Sequence, residues 1–345
     1  MERIKTEGFV LVQKGNPDKA FQLKEIELKS LDENEVIIET EAFGLNYADV
    51  MARNGLYKEA PPMPCVIGYE VVGRIIQIGN NVDENWLNKR VLGFSRFGGY
   101  AKKVITTDQA IVEIGDEITT PIALALCTQS VTAYYMAEYV SPIRKGENVL
   151  IHAAAGGVGS ILIQLAKLKG ATVFAKIGDE AKRKLVTDLG ADYIINYNSS
   201  NYAQQIQSIL GEKKIDISYN AVAGSTFKQD LKLLGAGGKL FLFGGAELSG
   251  GKWGILSQLN FIKKMGLMIP IGLMMTSKSI LGINMLKIAD EKPAVLSHCL
   301  KEVIELYKKG KISPQIGGEF SQNELNQAHL LLESGKSVGK IIVNW

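Results

Sequence analysis

The sequence predicts an α/β protein with a β-rich first part and a doubly wound second part built on a parallel sheet. Before Pro121, short strand-like runs alternate with Gly, Pro, Asn and Asp residues that are typical of turns. After Pro121, short apolar strands alternate with helical patterns, which indicates a parallel sheet covered by helices on both faces. A last apolar run at 339–345 needs a sheet to join, and we expect it to return to the first part.

The elements follow from these periodicities in chain order. In the first part, strands are predicted at 8–12, 21–28, 35–43, 70–78, 89–94 and 100–106, with one helix at 47–53. In the second part, a helix at 122–139 precedes strands at 148–152, 172–176, 193–196, 215–220 and 239–243, which alternate with helices at 157–168, 180–189, 202–210 and 226–234. Two further helices are predicted at 293–309 and 324–333. We therefore expect a discontinuous first domain at 1–124 and 287–345, and a second domain at 125–286.

Composition and charge limit the function classes. At 345 residues the chain is long enough for two domains, and its 46% hydrophobic content is that of a globular protein. The net charge of +3, from 39 basic and 36 acidic side chains, argues against a broad nucleic-acid surface. The start at 1–7 lacks the apolar core of a signal peptide, and the apolar stretch at 265–275 is too short to cross a bilayer. These features predict a cytoplasmic protein without a nucleic-acid partner.

A glycine-rich turn near the middle of the chain carries the strongest functional signal. It follows a short apolar run and continues directly into a helical pattern, and it consists of Ala154, Ala155, Gly156, Gly157, Val158 and Gly159. Glycines let a backbone approach a pyrophosphate, and the N–H groups at a helix start attract its negative charge. Alanine stands where the strict fingerprint has its first glycine, but the order of strand, turn and helix still predicts a dinucleotide site.

The end of the second strand of such a domain usually decides which nucleotide binds. An acidic residue there favours NAD, whereas basic residues accommodate the 2′-phosphate of NADP. The side chains that favour NADPH here are Lys176, Lys182 and Arg183, with Tyr197 after the next strand. Asp179 and Glu180 lie between them and weaken the argument, and the lysines also fit ordinary solvated helix positions. We predict NADPH, and we expect Lys176→Glu to weaken its binding selectively.

The cysteines and histidines give no sign of a metal site. Cys65, Cys127 and Cys299 are scattered without a CxxC pair, so neither a disulfide framework nor a zinc cluster is indicated. His152, His298 and His329 lack ligand spacing. We interpret His152, at the end of a buried strand, as a hydrogen-bonded core residue.

Several motifs together resemble a known family. They are the run Gly44-Leu45-Asn46-Tyr47-Ala48-Asp49-Val50-Met51-Ala52-Arg53, the segment Pro64-x-x-x-Gly68-Tyr69-Glu70-Val71-Val72-Gly73, the glycine turn, Gly93 with Tyr100-Ala101, and the end 337–343. The chain resembles the medium-chain dehydrogenase/reductase superfamily over nearly its whole length, and within it the zinc-free quinone oxidoreductase branch. The early run and 279–284 look most like the vesicle amine transport protein subgroup. The resemblance implies a GroES-like β domain beside a Rossmann domain, with the active site in the cleft between them.

The resemblance also implies a chemistry. Zinc-dependent members have a cysteine near position 46 and a histidine before the glutamate; here Tyr69 takes the place of that histidine, and the four-cysteine lobe is absent. Without a Lewis acid, hydride transfer from NADPH to a quinone or activated enone is the expected reaction, because hydrogen-bond donors can stabilise charge on a conjugated oxygen. By motif position the implied site residues are Tyr57 as donor or proton source, Asn46 for orientation, Thr128 at the nicotinamide ribose, and Gly244 with Gly245 close to the nicotinamide. Asn46 as a helix cap and Tyr57 as a packed loop aromatic stay open as alternatives.

The methionine-rich stretch at 265–275 admits different interpretations. It fits a helix and loop packed at a domain or subunit seam, an adaptable lining for an apolar substrate, or contact with a membrane surface. The strand at 279–284 resembles the edge along which family dimers join their sheets, so we expect a homodimer. The rival to a reductase is a nucleotide-responsive protein of the same fold that handles lipid with little turnover. A third alternative, an enoyl-thioester reductase, would need a pocket for a long acyl carrier.

Overall fold

The structure is a computed structural model that describes residues 4–197, 201–249 and 255–345, and it divides into two compact units. The first unit comprises Met1–Thr132, Met285–Gly310 and Pro314–Trp345, and the second comprises Ala133–Asn284 and Lys311–Ser313. Residues 1–3, part of the stretch in which we expect no signal peptide, lie outside the described residues. The domain limits expected from the sequence, 1–124 with 287–345 and 125–286, stay a prediction.

The first unit is built mainly from strands. Its strands before the second unit are β1 (Lys5–Leu11), β2 (Phe21–Glu27), β3 (Glu35–Leu45), β4 (Cys65–Val66), β5 (Glu70–Ile78), β6 (Arg90–Phe94), β7 (Lys103–Thr107) and β8 (Ile111–Glu113). The helices are α1 (Pro17–Ala20), α2 (Tyr47–Arg53), α3 (Thr120–Leu126) and α4 (Thr128–Tyr134), the last of which runs into the second unit. The helix at 47–53 and the strand at 70–78 are confirmed, whereas β4 and β8 had no counterpart in the sequence prediction.

The second unit holds a parallel sheet. Its strands are β9 (Asn148–Ile151), β10 (Thr172–Ile177), β11 (Tyr193–Asn196), β12 (Ile215–Asn220), β13 (Leu234–Leu242) and β14 (Ser279–Gly282). Its helices are α5 (Gly157–Leu168), α6 (Arg183–Asp188), α7 (Tyr202–Leu210), α8 (Phe227–Leu233), α9 (Ala246–Ser249), α10 (Ile255–Met265) and α11 (Pro270–Thr276). All pairings in the order β11-β10-β9-β12-β13-β14 are parallel, which confirms the predicted sheet type and leaves β14 at an edge.

The end of the chain returns to the first unit. It forms α12 (Met285–Glu291), α13 (Pro293–Lys308), β15 (Ile316–Ser321), α14 (Leu325–Glu333) and β16 (Lys340–Asn344). Strand β16 pairs antiparallel with β3 and parallel with β15 in a sheet ordered β15-β16-β3-β5-β6-β8. The prediction that the last strand joins the first part of the chain is confirmed, and so is the mixed α/β fold class.

The long helix predicted at 122–139 is wrong as a single element. The chain leaves helical geometry at Cys127, whose ψ is −122°, and resumes as α4 at Thr128. After Tyr134 the backbone widens into a π-helical segment over Tyr135–Val140. The break matters because it starts a new helix at Thr128, whose first backbone N–H groups have no carbonyl partner within the helix.

Candidate functional site

The glycine turn of the second unit has the backbone of an anion cradle. Strand β9 ends before His152, the chain turns at Ala153 with a positive φ, and α5 begins after Gly156. An added Cβ on Gly159 would lie 2.4 Å from the carbonyl oxygen of Ala153, so no side chain fits there. The glycine therefore lets α5 start close against the turn, and the first backbone N–H groups of this 12-residue helix suit a pyrophosphate.

Lys176 lies inside the second unit. It is only 4% exposed on β10, and its Nζ is 3.4 Å from Nδ1 of His152 and 3.5 Å from the ring centre of Tyr202. Burial lowers the pKa of Lys176 to about 8, against the opposing charge of Asp230. The backbone carbonyl of Lys176 also accepts the N–H of Ala154, 3.1 Å away, and so supports the glycine turn. The sequence correctly predicted that Lys176 lies on the strand, but it did not predict that the side chain is buried.

Asp230 is the centre of a fully buried polar network. Its carboxylate lies 2.9 Å from Nε2 of His152 and accepts from the Tyr202 hydroxyl at 2.7 Å. The Ser218 hydroxyl and the Asn220 side-chain amide donate to Oδ2, the oxygen nearest His152, at 2.8 and 2.7 Å, whereas Tyr202 donates to Oδ1. Although burial opposes it, the hydrogen bonds and the neighbouring His152 hold the pKa of Asp230 below its usual value. The interpretation of His152 as a hydrogen-bonded core residue is confirmed.

The remaining predicted nucleotide residues lie nearer the surface. The hydroxyl of Tyr197 packs on Gly178, where an added Cβ would lie 2.0 Å from it, and the Tyr197 side chain is half exposed. Lys182 is half-buried, and burial lowers its pKa. Arg183 instead pairs with Glu180. After β13, an added Cβ on Gly244 would lie 2.6 Å from the carbonyl oxygen of Ala221, whereas the one on Gly245 would meet only ordinary contacts.

In the first unit, the buried side chain of Asn46 lies in an ionic cluster. Its Nδ2 donates to Oε1 of Glu70 at 2.8 Å, and its Oδ1 accepts from Nζ of Lys340 at 3.0 Å. Its backbone N–H donates to Asp49 at 2.7 Å, so Asn46 also stands at the start of α2. Burial raises the pKa of Asp49 to about 7. Asn46 therefore occupies the helix-cap position while its amide bonds to other elements.

Glu70 and Lys340 are functional candidates that the sequence reasoning missed. Both are fully buried and form an ion pair, although 270 positions separate them in the chain. The second carboxylate oxygen of Glu70 accepts the backbone N–H of Thr128 at 2.8 Å. Two of the predicted site residues, Asn46 and Thr128, thus meet at one carboxylate. The only sequence signal was the position of Glu70 directly after Tyr69.

Tyr57 stands on the loop after α2. Its half-buried ring lies perpendicular to that of Tyr69, with 6.2 Å between ring centres. Burial, followed by the charges of Glu59 and Asp49, raises the pKa of Tyr57 to about 12. Tyr57 therefore keeps its proton over the physiological range and can donate a hydrogen bond. The buried hydroxyl of Tyr69 has no hydrogen-bond partner among the described residues.

The stretch at 265–275 is largely exposed in the structure. Leu267 is 94% exposed and Met275 81%, and α11 has no buried residue. Among the described residues no helix is long and apolar enough to cross a membrane. Over all the residues that the structure describes, no group of three or more His, Cys, Asp or Glu side chains is placed to hold a metal ion.

Comparison with known proteins agrees with this architecture. The family model of the alcohol dehydrogenase GroES-like domain matches residues 32–116, and the model described as zinc-binding dehydrogenase matches residues 157–302. The quinone oxidoreductase of Rattus norvegicus is 29% identical over 95% of this chain and 94% of its own length. The synaptic vesicle membrane protein VAT-1 homolog of Danio rerio is 28% identical over 91% of this chain, but the match spans only 65% of that relative.

A solved structure shows the same two-part fold. The Escherichia coli quinone oxidoreductase, crystallised with NADPH, superimposes with a TM-score of 0.85 at 25% identity, covering 98% of this chain and all of its own. The two family models together match more than half of the chain, the first on a GroES-like domain and the second on the Rossmann-type parallel sheet. The chain therefore belongs to the medium-chain dehydrogenase/reductase superfamily, among its quinone oxidoreductase-type members and close to the VAT-1 homologues.

Proposed function

We propose that the protein is a zinc-independent, NADPH-dependent oxidoreductase that transfers hydride to quinones or other activated enones. The glycine turn carries this proposal, because Gly159 lets the start of α5 pack closely on the turn, and a helix start of this kind binds a pyrophosphate. The NADPH-bound Escherichia coli relative supports the choice of nucleotide.

The second unit supplies the residues for the nucleotide. The backbone of Gly156, Gly157, Val158 and Gly159 would hold the pyrophosphate, and Gly244 with Gly245 would admit the nicotinamide. Lys182 and Tyr197, at the surface beyond β10, would contact the 2′-phosphate. Lys176 adds a positive charge beneath them, since its Nζ lies 5.3 Å from the ring centre of Tyr197. Bound NADPH would supply the hydride.

The first unit supplies the donors for the substrate. Hydride attack on a conjugated carbonyl places negative charge on its oxygen, and fixed N–H and O–H groups stabilise that charge. Asn46 offers Nδ2 and Tyr57 offers a hydroxyl that stays protonated because burial raises its pKa to about 12. Tyr69 stands where zinc-dependent relatives carry a histidine, so the proposal assigns no Lewis acid to the reaction.

Nucleotide titration and turnover test the proposal directly. Binding is followed by the fluorescence of NADPH and of NADH, and turnover by NADPH oxidation with a panel of quinones and enones. We expect NADPH to bind at least tenfold more tightly than NADH, and Lys182→Met to reduce that ratio. Tight NADH binding with negligible NADPH binding would contradict the choice of nucleotide, and no turnover with any acceptor would contradict the activity.

We also propose a homodimer formed through β14 and the exposed stretch before it. Among the described strands, β14 lies at the edge of the parallel sheet, where a second copy could pair with it. Leu267, Met274 and Met275, which precede it in the sequence, expose large apolar side chains. Light scattering should give twice the monomer mass, and Met275→Lys with Leu267→Lys should shift it towards the monomer. A monomeric wild type at micromolar concentration would contradict this.

A membrane-associated protein with little turnover is the second candidate. The same exposed apolar stretch favours it, because apolar side chains can insert into a bilayer surface. Residues 248–289 also contain lysines but no acidic residue, which suits an anionic lipid surface. Sedimentation with phosphatidylserine vesicles, combined with no NADPH oxidation, would favour this candidate over the reductase. A cytoplasmic location belongs to the reductase proposal and is checked by cell fractionation.

A further inference from the structure

We propose that Glu70, held by Lys340, is a positioning residue that presents the Asn46 amide and the Thr128 hydroxyl to the reacting pair. The inference rests on the proposed reductase function and concerns how its site is organised. One buried carboxylate reaches two separate helix starts, at α2 and at α4, through its two oxygens. A shift of that carboxylate would move both predicted contact residues together.

The cluster fixes the Asn46 amide in one orientation. Its oxygen faces the Lys340 ammonium at 3.0 Å, and its nitrogen faces the Glu70 carboxylate at 2.8 Å. A flipped amide would turn N–H groups towards the ammonium and the oxygen towards the carboxylate, and both contacts would be repulsive. One hydrogen of Nδ2 is used by Glu70, so the second is the group left to donate to a substrate oxygen.

Thr128 supplies an independent sign that the cluster serves a ligand. Its backbone N–H is bound to Glu70 at 2.8 Å, which fixes the residue at the start of α4. Its side-chain Oγ1 is buried, yet it has no hydrogen-bond partner among the residues that the structure describes. Buried hydroxyls are usually satisfied, so an orphan beside a rigidly held backbone points to a partner that arrives with the ligand.

The packing around the pair leaves it little freedom. Lys340 and Glu70 both have fully buried side chains, and Gly44 on β3 lies against them. An added Cβ on Gly44 would lie 2.4 Å from Cε of Lys340 and 2.6 Å from Oε1 of Glu70. The ion pair therefore has one arrangement, which is what a group that orients a donor needs.

A double-mutant cycle tests whether Glu70 acts through Asn46. The charge-neutral variant Glu70→Gln/Lys340→Met avoids leaving one buried charge unpaired, and it is combined with Asn46→Ala. We expect kcat to fall 10- to 100-fold in the neutral variant, with KM for NADPH changed less than threefold. In the Asn46→Ala background the same change should alter kcat less than threefold.

The matched control is another ion pair of the first unit, in which the arginine is buried and Glu333 is one-third exposed. Arg53 and Glu333 bond at 2.6 Å with the arginine fully buried, and Arg53→Met/Glu333→Gln removes the same charges. This control should lower the melting temperature while kcat stays within twofold of the wild type. A readout without turnover is hydrogen–deuterium exchange of the Thr128 amide, which should quicken in the Glu70 variant and not in the control.

Multiplicative effects of the Glu70 and Asn46 changes on kcat would overturn the inference, and so would unchanged exchange at Thr128. If the neutral variant does not fold, Glu70→Asp keeps the charge and shortens the arm by one methylene. In a folded Glu70→Asp variant kcat should then fall about tenfold, and full activity would overturn the inference. If the wild type is active and the Glu70 and Asn46 changes act independently on kcat, only the positioning role is refuted. An inactive wild type refutes the reductase function as well.

Discussion

Replacing Lys176 with methionine should change how the stability of the protein depends on pH. Methionine keeps the length and apolar stem of the lysine but removes its charge, and Asp230 retains its four hydrogen bonds in the variant. Burial lowers the pKa of Lys176 from its ordinary 10.5 to about 8 in the folded protein. The unfolded chain therefore binds this proton more tightly than the folded one.

The sign and size of the effect follow from that difference. Between pH 8 and 10.5 the lysine is protonated in the unfolded chain and neutral in the folded protein, so wild-type stability gains with rising pH from this group. With about 1.4 kcal/mol per pKa unit, the gain is about 3 kcal/mol over the window. For a chain of 345 residues this corresponds to about 4 °C in melting temperature.

The assay is thermal unfolding followed by circular dichroism at several pH values from 7 to 10. The difference between wild type and Lys176→Met should shift by about 2–3 kcal/mol in favour of the wild type across this range. Lys184→Met, at a side chain that is 85% exposed, is the control and should follow the wild-type curve. Parallel curves for wild type and Lys176→Met would refute the argument that the ammonium is buried.

Three further outcomes are expected. Tyr57→Phe should lower kcat about 100-fold. The wild-type rate should show no loss from Tyr57 ionisation below about pH 11, because burial raises the pKa of this tyrosine to about 12. A pH–rate profile of both proteins checks these outcomes. Gly159→Ala should abolish nucleotide binding in a fluorescence titration, since its Cβ would lie 2.4 Å from the Ala153 oxygen. Gly156→Ala, whose Cβ would lie 3.1 Å from the same oxygen, should only weaken binding. Equal nucleotide affinities of the two variants would contradict the role of the glycine turn. Asp230→Ala should cost about 3–5 kcal/mol in urea unfolding because it strands several buried donors and a buried cation, and a cost below about 1 kcal/mol would show the network to be dispensable.

Local patterns predicted much of the fold. The helix at 47–53 and the strand at 215–220 appear with the predicted limits, because their signals lie within a few neighbouring residues. The helix break at Cys127 could not be foreseen, since neither glycine nor proline marks it. The buried direction of Lys176 was equally hidden, because a parallel strand covered on both faces has no exposed face to read from the alternation.

The candidate site was only half accessible from the sequence. Asn46 and Thr128 were suggested by motif position, and the structure joins them through Glu70. Lys340 could not have been matched to Glu70, because a pair separated by 270 positions leaves no periodic or spacing signal in one sequence. Such long-range electrostatic partners appear only when the strand order is known.

The pairing of β16 with β3 has a consequence for biosynthesis. Strand β3 leaves the ribosome early, but its neighbour in the sheet, and the ammonium that neutralises Glu70, arrive only with residues 340–344, after the second unit. Until then the nascent chain carries an unpaired strand edge and a carboxylate without its counterion, both of which are exposed liabilities during synthesis. The first unit can therefore close only after the parallel-sheet unit that lies between its segments has been made.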